Sequence, residues 1–187
     1  MNLEISKVAN LPTQYGDFKI QSFKENDKEH LAIFTHTIPS IPTVRIHSEC
    51  LTGDVFKSIK CDCGEQLDFA LKTIQKDCGM VIYLRQEGRG IGLFNKVNAY
   101  SLQDLGHDTM RANELLGFKQ DYRKYEIVDE ILKYFNIKKI KLMTNNPLKL
   151  NSLKEVKVEK RVPIIINSCQ YNYEYLETKK EKMGHLL

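Results

Sequence analysis

Cys50, Cys61 and Cys63 are the residues of this chain whose type and spacing point most directly to chemistry. Cysteines separated by one residue, as Cys61 and Cys63 are, do not readily form a disulfide with each other, because so small a ring is strained. Both can aim thiolates at one soft cation, and a third thiolate from Cys50 completes a half-shell suited to zinc. Three protein ligands with an open position describe a catalytic zinc, which brings the pKa of bound water down to about 7. Two other readings stay open: a structural site closed by a fourth ligand, for which His47 is the candidate, or three unrelated thiols. Cys78 and Cys169 stand apart and read as small core hydrophobes.

His47-Ser48-Glu49 supplies the H-x-E half of the zinc nucleobase deaminase signature, in which the glutamate moves protons. The other half, P-C-x-x-C, is absent, since Cys61-Asp62-Cys63 stands in its place. A carboxylate beside a zinc site is still suited to acid–base work on a heterocycle. Gly88, Gly90 and Gly92 lie in EGRGIGL, where small residues let backbone N–H groups approach a phosphate and Arg85 and Arg89 add donors. The spacing is neither the dinucleotide G-x-G-x-x-G nor a P-loop. Thr144-Asn145-Asn146-Pro147, with Lys149 just beyond, is a second turn able to hold a base edge or a phosphate.

These residues need elements to position them. The segments around Phe18–Ile20, Ala32–Phe34 and Val44–His47 alternate apolar with polar and read as strands. Leu67, Ala70, Leu71 and Ile74 fall on one helical face, with Gly79 as the expected stop before a buried strand at Met80–Leu84. Ile127, Val128, Ile131, Leu132 and Phe135 make another helical face, followed by a strand at Ile140–Met143. Asn145-Asn146-Pro147 then opens a helix, with an asparagine as cap and proline in the first turn. A further helix is expected between Tyr171 and Leu187. Early strands and later βα alternation predict a single α/β domain, a mixed sheet with flanking helices, carrying its ligands at strand ends.

Composition bounds the rest. The 187 residues are 42% hydrophobic, with 10 glycines and 5 prolines, which excludes a disordered or collagen-like chain. No apolar run approaches the ~18 residues of a membrane span, and the start lacks a secretory pattern, so a cytoplasmic protein with reduced thiols is expected. Residues 1–118 carry 13 Lys/Arg against 15 Asp/Glu, a balance of −2, whereas residues 119–187 carry 15 against 9, a balance of +6. A basic C-terminal third suits a polyanionic partner, whether nucleic acid, a nucleotide or a membrane surface, or is simply a solvated face.

Taken together, RIHSECLTGD (Arg45–Asp54), CDCGEQ (Cys61–Gln66), RQEGRGIGL (Arg85–Leu93), TNNP (Thr144–Pro147) and the terminal TKKEKMGHLL (Thr178–Leu187) resemble GTP cyclohydrolase II of riboflavin biosynthesis. The resemblance runs from about residue 40 to the end and is to the stand-alone form, without the dihydroxybutanone phosphate synthase domain of some members.

The resemblance implies an enzyme that opens the imidazole ring of GTP at C8, releasing formate and pyrophosphate. Cys50, Cys61 and Cys63 would hold one zinc, whose hydroxide attacks the ring. Arg45, Ile46, His47, Ser48, Glu49 and Gln66 match substrate contacts, as do Glu87, Gly88, Arg89, Thr109, Thr144 and Lys149. Asp121 matches the proton acceptor, Tyr100 a tyrosine of the zinc-centred steps, and Arg123 the nucleophile at the α-phosphate. A guanidinium stays protonated in proteins, so clamping the transferring phosphoryl is the more defensible role for Arg123. Mg²⁺ would accompany the triphosphate. A homodimer is implied, with neither a nucleic-acid partner nor a membrane expected.

Overall fold

The computed structural model describes residues 3–119 and 121–186; Leu187, the last residue of the terminal motif and of the expected final helix, lies outside them. Contacts divide the chain into two compact units, each assembled from non-contiguous segments. The first takes the residues up to His47, Leu67–Arg85 and Tyr125–Ile164; the second takes Ser48–Gln66, Gln86–Lys124 and the chain from Ile165 onward.

The first unit is built on a mixed sheet of eight strands: β1 (Leu3–Ile5), β2 (Ala9–Thr13), β3 (Gly16–Glu25), β4 (Lys28–Phe34), β5 (Thr43–Ser48), β6 (Gly79–Leu84), β7 (Lys139–Met143) and β8 (Lys157–Val162). The spatial order is β1-β3-β4-β6-β5-β7-β8, with β2 also paired to β3. β3 pairs antiparallel with β1, β2 and β4, and β4 antiparallel with β6 (Phe34 opposite Met80). β5 and β7 run parallel (Thr43 opposite Lys141), as do β7 and β8. The α/β class expected from the alternation is the class found.

Period two explains the burial. Phe18 and Phe23, an odd number of positions apart on β3, face opposite sides of the sheet and enter different apolar clusters. On β6, Met80, Ile82 and Leu84 join one cluster and Val81 the other, so this strand is covered on both faces. Helix α2 (Cys63–Asp77) covers one side with Ala70, Leu71 and Ile74. Helix α5 (Glu126–Tyr134) covers the other with Ile127, Val128, Ile131 and Leu132. Asn146 caps the short helix α6 (Pro147–Ser152) by accepting the Leu148 N–H at 2.9 Å, with proline in the first turn as expected.

Two local expectations are corrected. Gly79 is not the helix stop: α2 ends at Asp77, Cys78 takes the left-handed conformation (φ 56°), and Gly79 already opens β6. Nor are Cys78 and Cys169 core residues. The reversal at Cys78 leaves it only half-buried, and Cys169, ahead of the last helix, is exposed.

The second unit is helical: α1 (Leu51–Asp54), the first turn of α2, a 3-10 turn (Glu87–Gly90), α3 (Gly92–Asp104), α4 (Thr109–Leu115) and α7 (Tyr173–Met183). Both units bury charge as well as hydrocarbon: Arg45, Asp129 and Lys149 in the first, Asp62, Glu87, Lys96 and Lys179 in the second. Charged side chains are almost never fully buried unless paired, so their partners identify what the unit is built to hold.

Candidate active site

The three cysteines of the C-x10-C-x-C pattern meet in the second unit. Cys50 precedes α1, Cys61 lies in the following loop and Cys63 opens α2. Their Sγ atoms all lie within 4.8 Å of one another, and Cys50 Sγ is 3.6 Å from Cys61 Sγ. Gly53 makes room for them. A Cβ at that position would stand 3.0 Å from Cys61 Sγ and 3.2 Å from Cys50 Sγ, closer than side chains normally approach.

Electrostatics separate the thiols. Hydrogen bonds from the Cys61 and Cys63 thiols, then the Lys96 ammonium, hold Cys50 far below the ordinary thiol range. Their role as donors to Cys50 pushes Cys61 up to about 11 and Cys63 well above its ordinary value. Lys96 Nζ donates to Cys50 Sγ at 3.2 Å and to Glu87 Oε1 at 2.9 Å. Burial disfavours that ammonium, but the charges of Cys50 and Glu87 outweigh it and raise its pKa. Glu87 is a hub: its Oε2 accepts the Leu51 N–H at 2.6 Å, and its Oε1 also accepts the Gly88 N–H at 2.7 Å. Gly88 and Arg89 both adopt left-handed backbone, φ 60° and 59°, free for the glycine and strained for the arginine.

The thiols line a cavity together with Ser48, Glu49, Glu87, Gly88 and Arg89. Lys96, Tyr100, Thr109, Arg123 and Tyr175 line it as well. The Tyr100 hydroxyl lies 3.2 Å from Thr52 Oγ1. Burial raises the Tyr100 pKa against the opposing Thr52 contact and Lys96 charge. Arg123 is gripped by Asp121 through Nε–Oδ1 at 2.9 Å and Nη2–Oδ2 at 2.6 Å. Burial works against the Asp121 carboxylate, but the Arg123 hydrogen bonds and charge hold its pKa below the ordinary value. Arg89 Nη1 is buried without a hydrogen-bond partner among the described residues.

Gln66 does not line this cavity; its Nε2 donates to Asp62 Oδ2 at 2.5 Å. Arg45, Ile46, His47, Thr144 and Lys149 gather in the first unit, around the carboxyl ends of parallel β5 and β7. Arg45 Nη1 donates to the Met143 carbonyl at 3.1 Å, and Lys149 Nζ to the Ile46 carbonyl at 2.8 Å. His47 is buried and stacks on Tyr83, ring centroids 5.4 Å apart. Thr144 Oγ1 accepts the Asn146 N–H at 3.0 Å, shaping the turn before α6.

Sequence reasoning passed over Lys96, Thr52, Gly53, Asp62 and Lys179. Lys96 had a signal, since it precedes Tyr100 by one helical turn and so shares its face.

The family model of GTP cyclohydrolase II matches residues 4–163, including the N-terminal segment where the motifs are sparse. A protein of Campylobacter hominis named GTP cyclohydrolase-2 is 62% identical over 187 residues, covering 100% of this chain and 97% of that relative. One of Helicobacter pylori with the same name is 58% identical over 189 residues, covering 99% of this chain and 98% of the relative. The crystal structure of a two-domain 3,4-dihydroxy-2-butanone 4-phosphate synthase from A. baumannii covers 88% of this chain and 40% of its own at 19% identity and a TM-score of 0.49, too distant a likeness to inform the fold. This chain belongs to the GTP cyclohydrolase II family.

Proposed function

We propose that this protein is a zinc-dependent GTP cyclohydrolase, opening the imidazole ring of GTP at C8 with release of formate and pyrophosphate in riboflavin biosynthesis, the whole chain acting as one catalytic domain. The observation that carries this reading is one cavity lined both by three clustered thiols and by the Arg123 guanidinium. The thiols suit zinc: two sulfurs bound tetrahedrally at about 2.3 Å lie about 3.8 Å apart, and Cys50 and Cys61 stand at 3.6 Å. A divalent ion among them offsets the mutual repulsion of three clustered thiolates. When bound there, zinc supplies a Lewis acid that makes a water nucleophilic near neutral pH.

The chain's own groups do the rest. Lys96 neutralises part of the Cys50 charge and, through Glu87, ties the thiol loop to the 3-10 turn. The Tyr100 hydroxyl, paired with Thr52, is placed to pass a proton at the edge of the cavity. Arg123 and Arg89 meet the triphosphate, which enters with Mg²⁺ held by its own oxygens and water. Asp121 orients Arg123 and accepts a proton in the phosphate step. Arg45, Ile46, His47, Ser48, Glu49, Gln66, Gly88, Thr109, Thr144 and Lys149 are assigned to nucleotide binding by the resemblance.

Purified zinc-loaded protein with Mg²⁺ is expected to release formate and pyrophosphate from GTP, with formate abolished by a chelator. Bound GTP yielding no formate would sink the reading, and ammonia in its place would mark a deaminase. Exposed large apolar side chains concentrate in the second unit, at Val55, Phe56, Phe94, Val97 and Leu105, which supports a homodimer. Equilibrium sedimentation should give twice the mass of one chain; a single-chain mass at micromolar concentration would refute the dimer.

A further inference from the structure

Asp62 lies between two of the proposed metal ligands and is almost fully buried. Its Oδ2 accepts from Gln66 Nε2 and its Oδ1 from Lys179 Nζ, each at 2.5 Å. Lys179 is likewise buried, on α7, far along the chain from the thiol loop. Its ammonium also lies 4.3 Å from the ring centroid of Tyr175, and that tyrosine lines the cavity with Arg89 over its ring at 6.0 Å. One helix thus touches the thiol loop through Lys179 and the substrate cavity through Tyr175. The metal reading above assigns it no task, although TKKEKMGHLL is among the most distinctive segments of the sequence.

We propose that Lys179 is a positioning residue for the metal loop: through Asp62 it holds Cys61 and Cys63 in the arrangement that retains the metal, making α7 a working part of the site. A charge-assisted bond to a buried carboxylate is short and directional. It restrains the residue between the two cysteines, and with it the directions of both thiols. This inference rests on the reading of Cys50, Cys61 and Cys63 as zinc ligands. Partners that orient ligands from outside the coordination sphere typically carry about 10–100-fold in metal affinity.

The test is the rate at which folded, zinc-loaded protein surrenders its metal to excess chromogenic chelator. Lys179→Met is expected to release zinc about 10–100-fold faster. Lys179→Arg, which keeps a cation opposite Asp62, should restore most of the retention. Lys180→Met, on the exposed side of the same helix, should release zinc at the parent rate; if it matches Lys179→Met, the effect is one of general charge and the proposal falls. Because Lys179→Met strands a buried carboxylate and could unfold the unit, the double variant Asp62→Asn with Lys179→Met removes both charges. Fast release from that variant, with its circular dichroism intact, supports the proposal. Release at the parent rate from either folded variant overturns it while leaving the metal reading standing. Parent protein that takes up no zinc overturns the metal reading and this inference with it.

Discussion

On the proposed function, Cys61→Ser is expected to bind no zinc and to lose formate release from GTP, while pyrophosphate release survives as a measurable fraction. Serine is nearly isosteric with cysteine, but its hydroxyl stays protonated at neutral pH and offers a soft metal a hard oxygen. The remaining pair, Cys50 and Cys63, cannot form the three-thiolate half-shell. Loss of a direct ligand should therefore exceed the ~10–100-fold cost of losing a supporting partner, so formate release falls by more than about 100-fold. The fold has other supports at this point: Asp62 still pairs with Lys179, and Leu51 still donates to Glu87. Arg123, proposed to meet the phosphates, is held by Asp121. Metal analysis of purified protein, with formate and pyrophosphate assayed on one reaction mixture, decides the matter. A full complement of zinc with undiminished formate release would refute the ligand assignment.

That experiment also bears on Lys96. In the folded chain its ammonium donates to Cys50 Sγ at 3.2 Å, a contact that its helical-turn spacing to Tyr100 only hints at. What a sequence displays well is a repeating pattern or a cluster of unusual residues. The faces of α2 and α5 repeat at helical spacing, β6 is a compact apolar run, and Asn146-Pro147 is a cap written in adjacent residues. The thiol triad was readable for the same reason: its spacing is rare and its chemistry narrow. The Lys96–Glu87 pair is one ion pair between two elements, and Lys179 meets Asp62 across 117 positions. Neither leaves a periodic trace, because one buried ion pair needs only one residue on each side. The division into two units was hidden too. Each unit is stitched from separate segments, with no linker at the crossings to mark a boundary. At Cys78 the reading failed because the glycine beside it was the natural choice for a left-handed stop, and the cysteine took that conformation instead.

Arg123→Ala should show the opposite division of activities from Cys61→Ser: pyrophosphate release falls first and furthest, while formate release persists with zinc bound. A guanidinium offers fixed parallel donors to phosphoryl oxygens, and removing such an arginine commonly costs about 10³-fold or more in phosphoryl transfer. The bidentate Asp121 contact presets its orientation, so the loss is one of placed charge rather than of charge in general. Arg123→Lys should accordingly recover only part of the rate, since lysine is a point charge without the fork. Stability responds as well. The Arg123 hydrogen bonds and charge hold Asp121 below the ordinary carboxyl range against the opposing effect of burial. A lowered folded-state pKa gives stability that is present above the unfolded value and lost as pH falls through the folded one. The side chains are 12% and 18% exposed, so the pair is mostly buried and breaking it should cost about 3 kcal/mol or less. The deficit of the alanine variant in urea unfolding should therefore be largest near neutrality and shrink in acid, once Asp121 is protonated in both proteins. Equal loss of formate and pyrophosphate release in a folded, zinc-replete Arg123→Ala protein would contradict a separate phosphate role, because a residue confined to that step has no reason to slow ring opening.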